Sequence, residues 1–93
     1  MDDPIDRAAW KRDEQIQGVM TKIKGQTRYA GLEGKLLALS ARLTGHHLRY
    51  GMAIQSGKQA VASREANAIG ACEREFKQLM LPPGALDIRV SYD

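Results

Sequence analysis

The sequence predicts an all-α protein, either a helical hairpin or a three-helix bundle, with an extended, strand-like C-terminal arm. Three observations predict this fold class. Apolar residues recur at spacings of three and four through most of residues 4–81, which is the period of an amphipathic helix. Turn-forming or helix-breaking residues interrupt the pattern at 25, 51–57 and 82–84. Residues 86–93 instead alternate apolar and polar side chains, as a half-buried strand does.

The first helix is expected at about 4–24. Asp3 is placed to cap its N-terminus, and Pro4 suits the first helical position because the N–H group that proline lacks has no helical partner there. Asp6 follows in the first turn, near the positive end of the helix dipole. Gly25 is suited to end the helix.

The second helix contains the strongest periodicity in the chain. It is expected at 27–44 or 27–50, because Gly45 and Gly51 are both candidate ends. An apolar seam within it alternates spacings of three and four, the pattern by which two helices pack together over several turns. We therefore expect this seam to be a surface at which copies of the chain associate. The seam residues are Tyr29, Leu32, Leu36, Leu39 and Leu43.

The third helix is expected at about 57–81. Ser56 and Gln59 have the spacing of a capping box at its N-terminus, and the Pro-Pro-Gly sequence after it cannot continue a helix. Many residues in its first half are small, which favours close packing against another helix and, with the seam, self-association. The chain is thus divided into a helical domain, 1–81, and a Pro-Pro-Gly hinge with the C-terminal arm, 82–93.

The C-terminal arm has one apolar edge. No other segment of the sequence has a strand pattern, so a strand here has no partner within the chain for its backbone hydrogen bonds. We expect the arm to add to the edge of a sheet in another chain. Two alternatives stay open: the arm packs on its own helices, or it becomes ordered only when a partner binds. The edge residues are Leu86, Ile88, Val90 and Tyr92.

Positive charge is concentrated in the middle of the chain. Residues 15–64 carry eight bases and one acid, a net charge of +7, whereas 1–14 and 65–93 each carry −2. Four of the bases recur every seven residues and therefore form a basic stripe along one side of the second helix: Arg28, Lys35, Arg42 and Arg49. They either border a helical interface with their charges in water or contact a phosphate backbone or an acidic partner. The residues assigned to such binding are Lys22, Lys24, Arg28, Lys35, Arg42 and Arg49.

The sequence predicts no catalytic, cofactor or metal site. Its glycines form neither a phosphate-binding loop nor a dinucleotide fingerprint. The adjacent His46 and His47 would point about 100° apart on a helix, so they do not converge on one ion. We expect His46 to form a hydrogen bond at the seam and His47 to face solvent. Cys72 lies among apolar residues and is expected to pack in the core. Enzyme activity, a cofactor and a small-molecule substrate are not expected.

The single cysteine and the hydropathy pattern bear on the compartment. One cysteine cannot form an intrachain disulfide, which fits a reducing environment. The sequence shows neither a secretory leader nor an apolar run long enough to cross a membrane. We expect a cytoplasmic protein, or one in a particle assembled in the cytoplasm, without a membrane partner.

These patterns favour a non-enzymatic interaction or assembly protein that forms homo-oligomers or docks on a larger complex. Its small size, seam and arm would suit a component of a phage or other mobile-element particle. An alternative is a nucleic-acid-binding accessory protein that uses the basic residues. A third hypothesis is a protein inhibitor of another enzyme.

Overall fold

Three α-helices make up most of the chain that the computed structural model describes, residues 3–80. They are α1, Pro4–Ile23; α2, Ala30–Gln55; and α3, Gln59–Leu79. A short 3-10 turn, Thr27–Tyr29, precedes α2. The described residues are therefore all-α, as predicted, and contain no strand.

None of the helices in residues 3–80 combines the length and the apolar composition needed to cross a membrane. The predicted arm, 82–93, lies outside the described residues. Its assignment to a partner's sheet therefore stays a prediction.

Both ends of α1 follow from local sequence. The Asp3 carboxylate accepts the backbone N–H of Ile5 at 2.8 Å, so it caps the helix as predicted. At the other end, the N–H of Gln26 donates to the carbonyl of Ile23 at 3.0 Å. This closes a type II turn whose third residue, Gly25, has a φ of +79°. Only glycine adopts that conformation without strain, so the chain reverses here and α2 packs antiparallel to α1.

The connection between α2 and α3 differs from the predicted capping box. Ser56 is the C-cap residue of α2, and Gly57 follows it with a φ of +70°. The N–H of Gly57 donates to Ile54 and that of Lys58 donates to Ala53, at 3.2 and 2.9 Å. These two bonds form a Schellman motif, which ends α2. No side chain caps α3, so the predicted cap by Ser56 is wrong.

α2 is longer than predicted because it continues through both candidate breaks. Gly45 and Gly51 are helical, and the helix ends only after them. Each interior glycine costs about 1 kcal/mol relative to alanine. Tyr50 and Ala53 are buried in the same turns. Their packing offsets that cost and keeps the C-terminal part of the helix against the bundle.

The α2 seam forms the centre of the intramolecular core. Leu36, Leu39 and Leu43 are almost completely removed from water within a single chain, and Tyr29 is buried beside them. The predicted role of the seam as an oligomer surface is therefore wrong, because α1 and α3 cover the same side of α2. Buried residues that complete the core are Ile16, Val19 and Ile23 of α1 and Ala62, Ile69, Cys72 and Phe76 of α3.

A buried arginine links α1 to α3. Arg12 is 5% exposed, and its guanidinium lies 3.0 Å from the Glu73 carboxylate. It also donates to the side-chain oxygen of Gln15 and lies over the Phe76 ring, 5.9 Å from the centroid. A charge this deeply buried needs such partners. The contacts therefore fix how α3 packs against α1.

Polar bonds between α1 and α2 run beside the core. In each, a side chain of α2 donates to a carboxylate at or near α1, and Ser40 also accepts from Gln17 at 3.0 Å. These bonds set the register of the two antiparallel helices, because each pairs one position on α1 with one on α2. They are Tyr50 to Asp3 at 2.6 Å, His47 to Asp6, and Ser40 to Asp13 at 3.0 Å.

Tyr50 should report on this register through its titration. The hydrogen bond to Asp3, with burial, raises the pKa of Tyr50 to about 12. A raised phenol pKa means that the bond contributes stability that is fully present below the unfolded pKa of about 10 and is lost as pH rises toward 12. We expect the absorbance of tyrosinate to show a late-titrating component, and Tyr50→Phe to remove it and lower the melting temperature by a few degrees at neutral pH.

At acid pH, the same hydrogen bond makes stability change with pH in the opposite direction. The bond from Tyr50, followed by backbone N–H groups, holds the pKa of Asp3 below its ordinary value. Its stabilising effect is present above that ordinary value and is lost as pH falls through the folded pKa. Tyr29→Phe is the control, because it is Tyr50 that donates to the Asp3 carboxylate. An unchanged alkaline titration in Tyr50→Phe would contradict the assignment.

Candidate protein-binding face

Large apolar side chains are exposed on one side of the bundle. Trp10, Leu37, Leu48 and Met52 are between 59% and 65% exposed. Scattered exposed apolar residues are ordinary, but a contiguous group marks a contact surface. We call this surface the outer face. It consists of Trp10 from α1 and Leu37, Ala41, Thr44, Leu48 and Met52 from α2.

The outer face is a second apolar stripe on α2. Leu37 directly follows the buried Leu36, so its side chain points about 100° away from the core. Leu48 lies eleven positions further on, which is close to three turns, and therefore falls on the same line. α2 is thus apolar on two sides. The seam is covered by α1 and α3, whereas the outer face is open.

α1 forms one wall of a groove along the outer face. The Trp10 ring stands edge-on to His47, with centroids 6.3 Å apart and planes at 83°. A hollow of about 170 Å³ lies where Trp10 meets Thr44. A larger groove of about 370 Å³ continues along α2 past Leu48 and Met52. Asp6, His47 and Gln55 provide its polar lining.

His47 holds this wall in place. Its Nε2 donates to the carboxylate of Asp6, one helical turn before Trp10 on α1. The predicted orientation of His47 toward solvent is therefore wrong, since its ring is held between Asp6 and Trp10 and is only 23% exposed. The groove is consequently supported by the same bonds that align α1 with α2.

His46 lies on the other side of the seam, where it meets α3. As predicted, it forms a hydrogen bond, in this case donating from Nδ1 to Glu65 at 2.6 Å. Arg49 also donates to Glu65, at 3.1 Å. The bond from His46 and then the contact with Arg49 lower the pKa of the Glu65 carboxyl below its ordinary value. This cluster therefore stabilises packing between α2 and α3.

The six basic residues predicted to contact a phosphate backbone or an acidic partner divide into two groups. Arg42 pairs with Glu75 and Arg49 pairs with Glu65, so these two bases border the α2–α3 interface. The remaining basic residues are exposed around the α1–α2 turn, and none forms an ion pair with a carboxylate of residues 3–80. We call them the turn cluster. They are Lys22, Lys24, Arg28 and Lys35.

The single cysteine lies away from the outer face. Cys72 is buried in the core, as predicted, and burial raises the pKa of its thiol. Such a thiol is a poor nucleophile. Within residues 3–80, no group of three or more His, Cys, Asp or Glu side chains has an arrangement that could hold a metal ion.

Comparison with protein-family models, curated proteins and solved structures finds no match to this chain. The residues Leu86, Ile88, Val90 and Tyr92, predicted to contact a partner, lie outside the described residues.

Sequence reasoning missed the outer face. The available signal was a second three-and-four series on the second helix, running from Leu37 to Met52 beside the stronger seam. The small or polar residues at two of its positions, Ala41 and Thr44, weaken that series. It becomes informative only once the seam is known to be covered, because then the large residues between the small ones have no partner in the bundle.

Proposed function

We propose that this protein is a non-enzymatic interaction or assembly protein that binds another protein chain through the outer face. One observation carries the proposal. Trp10, Leu37, Leu48 and Met52 are exposed together on one side of a bundle whose core is otherwise closed. A small chain gains little from leaving such side chains in water, so their grouping favours a partner.

The composition of the outer face suits protein binding. Complete burial of a Leu or Met side chain contributes about 1.5–3 kcal/mol, so covering the exposed parts of three such residues contributes several kcal/mol. Trp10 is the type of residue that dominates binding energies when it lies near the centre of an interface. Ala41 and Thr44 are small enough for a partner helix or strand to approach α2 closely.

The C-terminal arm would extend this contact. Its alternating residues, 86–92, provide a second means of engaging a partner, by adding to the edge of a sheet. Two separate contacts on one small chain are appropriate to a component of a larger assembly, such as a phage or other mobile-element particle. No contact among residues 3–80 favours the hypothesis of an enzyme inhibitor over this one.

The direct experiment is capture of partners from the native source with two matched variants. Leu48→Glu places a carboxylate in the middle of the outer face, where a partner would have to desolvate it. Ala71→Glu makes an equivalent change at an exposed position of α3. We expect both variants to keep the helical circular dichroism spectrum, and only Leu48→Glu to lose the proteins, including further copies of the chain, that the unaltered protein retains.

Two results would overturn this function. If all three proteins retain the same set of chains, the outer face is not the binding surface. If Leu48→Glu is unfolded, Leu48→Gln is the replacement, since it removes the apolar contact without adding charge. Retention by folded Leu48→Gln of everything that the unaltered chain binds would then count against the proposal.

Nucleic-acid binding is a second candidate, favoured by the turn cluster. Its four exposed bases have no ionic partner in residues 3–80, so their charge is available to a phosphate backbone. We expect affinity for a DNA or RNA oligomer to fall steeply with salt. Replacement of all four residues of the turn cluster with glutamine should abolish binding. Arg42→Gln with Arg49→Gln is the matched control, because those bases are paired with α3. Equal loss in both variants would reject the turn cluster as the site.

A further inference from the structure

We propose that the partner bound by the outer face is a second copy of the chain, lying antiparallel across a twofold axis between Thr44 and Gly45. This inference rests on the proposed function and names its partner. It concerns one surface only: the stripe on α2 from Leu37 to Met52, with Trp10 beside it.

The order of large and small residues on the outer face is self-complementary. In an antiparallel pair centred between Thr44 and Gly45, each position meets the one equally far on the other side of the centre. Leu48 then meets Ala41 of the second copy, and Leu37 meets Met52. Large side chains thus fill the space left by small ones or meet each other at the two ends, which is how helices pack at short separation.

The centre of the pair would allow close approach. Thr44 has a small side chain and lines the groove. Gly45 has no side chain, and the group beside it is the guanidinium of Arg49, which is half-exposed and can move aside. A Cβ atom added at Gly51 would meet nothing within 4 Å in the single chain, so the space next to the stripe is open. Trp10 lies beside Thr44, at the middle level of the stripe. Both copies would therefore place this residue close to the axis, where an aromatic side chain is most completely buried.

Charge favours the antiparallel orientation over the parallel one. The turn cluster lies at the end of the α1–α2 pair where α2 begins. Asp3 and Asp6 lie at the opposite end, bonded to Tyr50 and His47. An antiparallel second copy keeps the two turn clusters at opposite ends of the pair, each toward Asp3 and Asp6 of the other chain, whereas a parallel copy would bring the two clusters together. The dipoles of the two α2 helices have the same preference.

The contact is of a suitable size. The stripe from Leu37 to Met52 is about 22 Å long at the rise of an α-helix. With Trp10, it would cover several hundred Å² on each copy, toward the lower end of what specific dimers bury. Association in a range set by protein concentration, rather than a permanent dimer, is the expected behaviour.

Variants with one added cysteine test the register. Under mild oxidation, Thr44→Cys should form a disulfide-linked dimer, because the two copies of this position lie next to the axis. Leu37→Cys alone should not, because its two copies are about 22 Å apart along the helices. A mixture of Leu37→Cys and Met52→Cys should form the mixed dimer. The unaltered chain is the control, since its Cys72 is buried.

Other outcomes of the cysteine experiment would contradict the antiparallel pair. Efficient dimer formation by Leu37→Cys alone would mean a parallel pair and would overturn the proposed orientation. No specific dimer from Thr44→Cys or from the mixture would overturn the second copy as partner. If capture from the native source still depended on Leu48, the outer face would remain a binding surface for a different chain, or for the arm 82–93. If that dependence were also absent, the proposed function would fail with it.

Discussion

Leu39→Ala should lower the free energy of unfolding by about 2–5 kcal/mol, which is a large part of the ~5–10 kcal/mol expected for a chain of this length. Leu39 has no exposed surface in the single chain and lies in the middle of the seam. Truncation removes apolar contacts with α1 and α3 and leaves a cavity between three helices that cannot all move to fill it. Urea unfolding followed by circular dichroism measures the change.

Leu37→Ala provides the matched control on the same helix. It removes the same atoms two positions away, but Leu37 is 60% exposed. In dilute protein, we expect its free energy of unfolding to change by less than about 1 kcal/mol. If Leu37→Ala destabilised the chain as much as Leu39→Ala, the division of α2 into a covered seam and an open outer face would be incorrect. Dissociation of Leu39→Ala without loss of stability would restore the seam as a surface between copies.

Leu48→Glu should weaken self-association by at least about 100-fold, which corresponds to about 2.8 kcal/mol. In the antiparallel pair, the new carboxylate would lie against Ala41 of the second copy, among apolar groups that cannot replace its water. The pair would also lose the apolar contact that Leu48 makes. Light scattering after size-exclusion chromatography measures the mass of each variant.

Ala71→Glu should leave the association of the chain unchanged. The residue is exposed on α3 and follows the buried Ile69 by two positions, so it faces away from the core. The added charge is the same, so this variant separates an effect of position from an effect of net charge. An equal loss of association in Ala71→Glu and Leu48→Glu would show that general repulsion, rather than the outer face, accounts for the change.

Much of the fold could be predicted because local rules decide it. The cap at Asp3 and the stop at Gly25 depend on neighbouring backbone groups, and both occur as the residue types predict. The alternating spacing of Leu36, Leu39 and Leu43 likewise identified a buried line on α2. Each of these features is contained within one helix or one turn.

The errors about the seam and the basic residues arose where one helix packs against another. A periodic seam shows that a side of a helix is covered, but it does not show whether the cover comes from the same chain. The basic stripe had the same ambiguity, because Arg42 and Arg49 find Glu75 and Glu65 only when the register of α3 is known. Ser56 matched a capping box, yet the positive φ of Gly57 next to it allowed a Schellman motif instead.

The outer face could not be predicted for the same reason, because it depends on how the three helices pack. Only after α1 and α3 are placed on one side of α2 does the exposure of Leu48 and Met52 become evident. Trp10 comes from a different helix, and its position beside Thr44 depends on the bonds from α2 to Asp3, Asp6 and Asp13. A binding surface built across two helices therefore leaves only a weak trace in the sequence of either one.

Sedimentation equilibrium of the unaltered chain, measured over a wide range of concentration beside Leu48→Glu, tests most directly whether the outer face joins two copies. We expect the apparent mass of the unaltered protein to rise from 10.3 kDa toward twice that value as concentration increases. Leu48→Glu should stay at the mass of one chain throughout, with unchanged helicity. An unaltered protein that remains a monomer at every concentration, or a Leu48→Glu variant that dimerises equally well, would contradict self-association through this face.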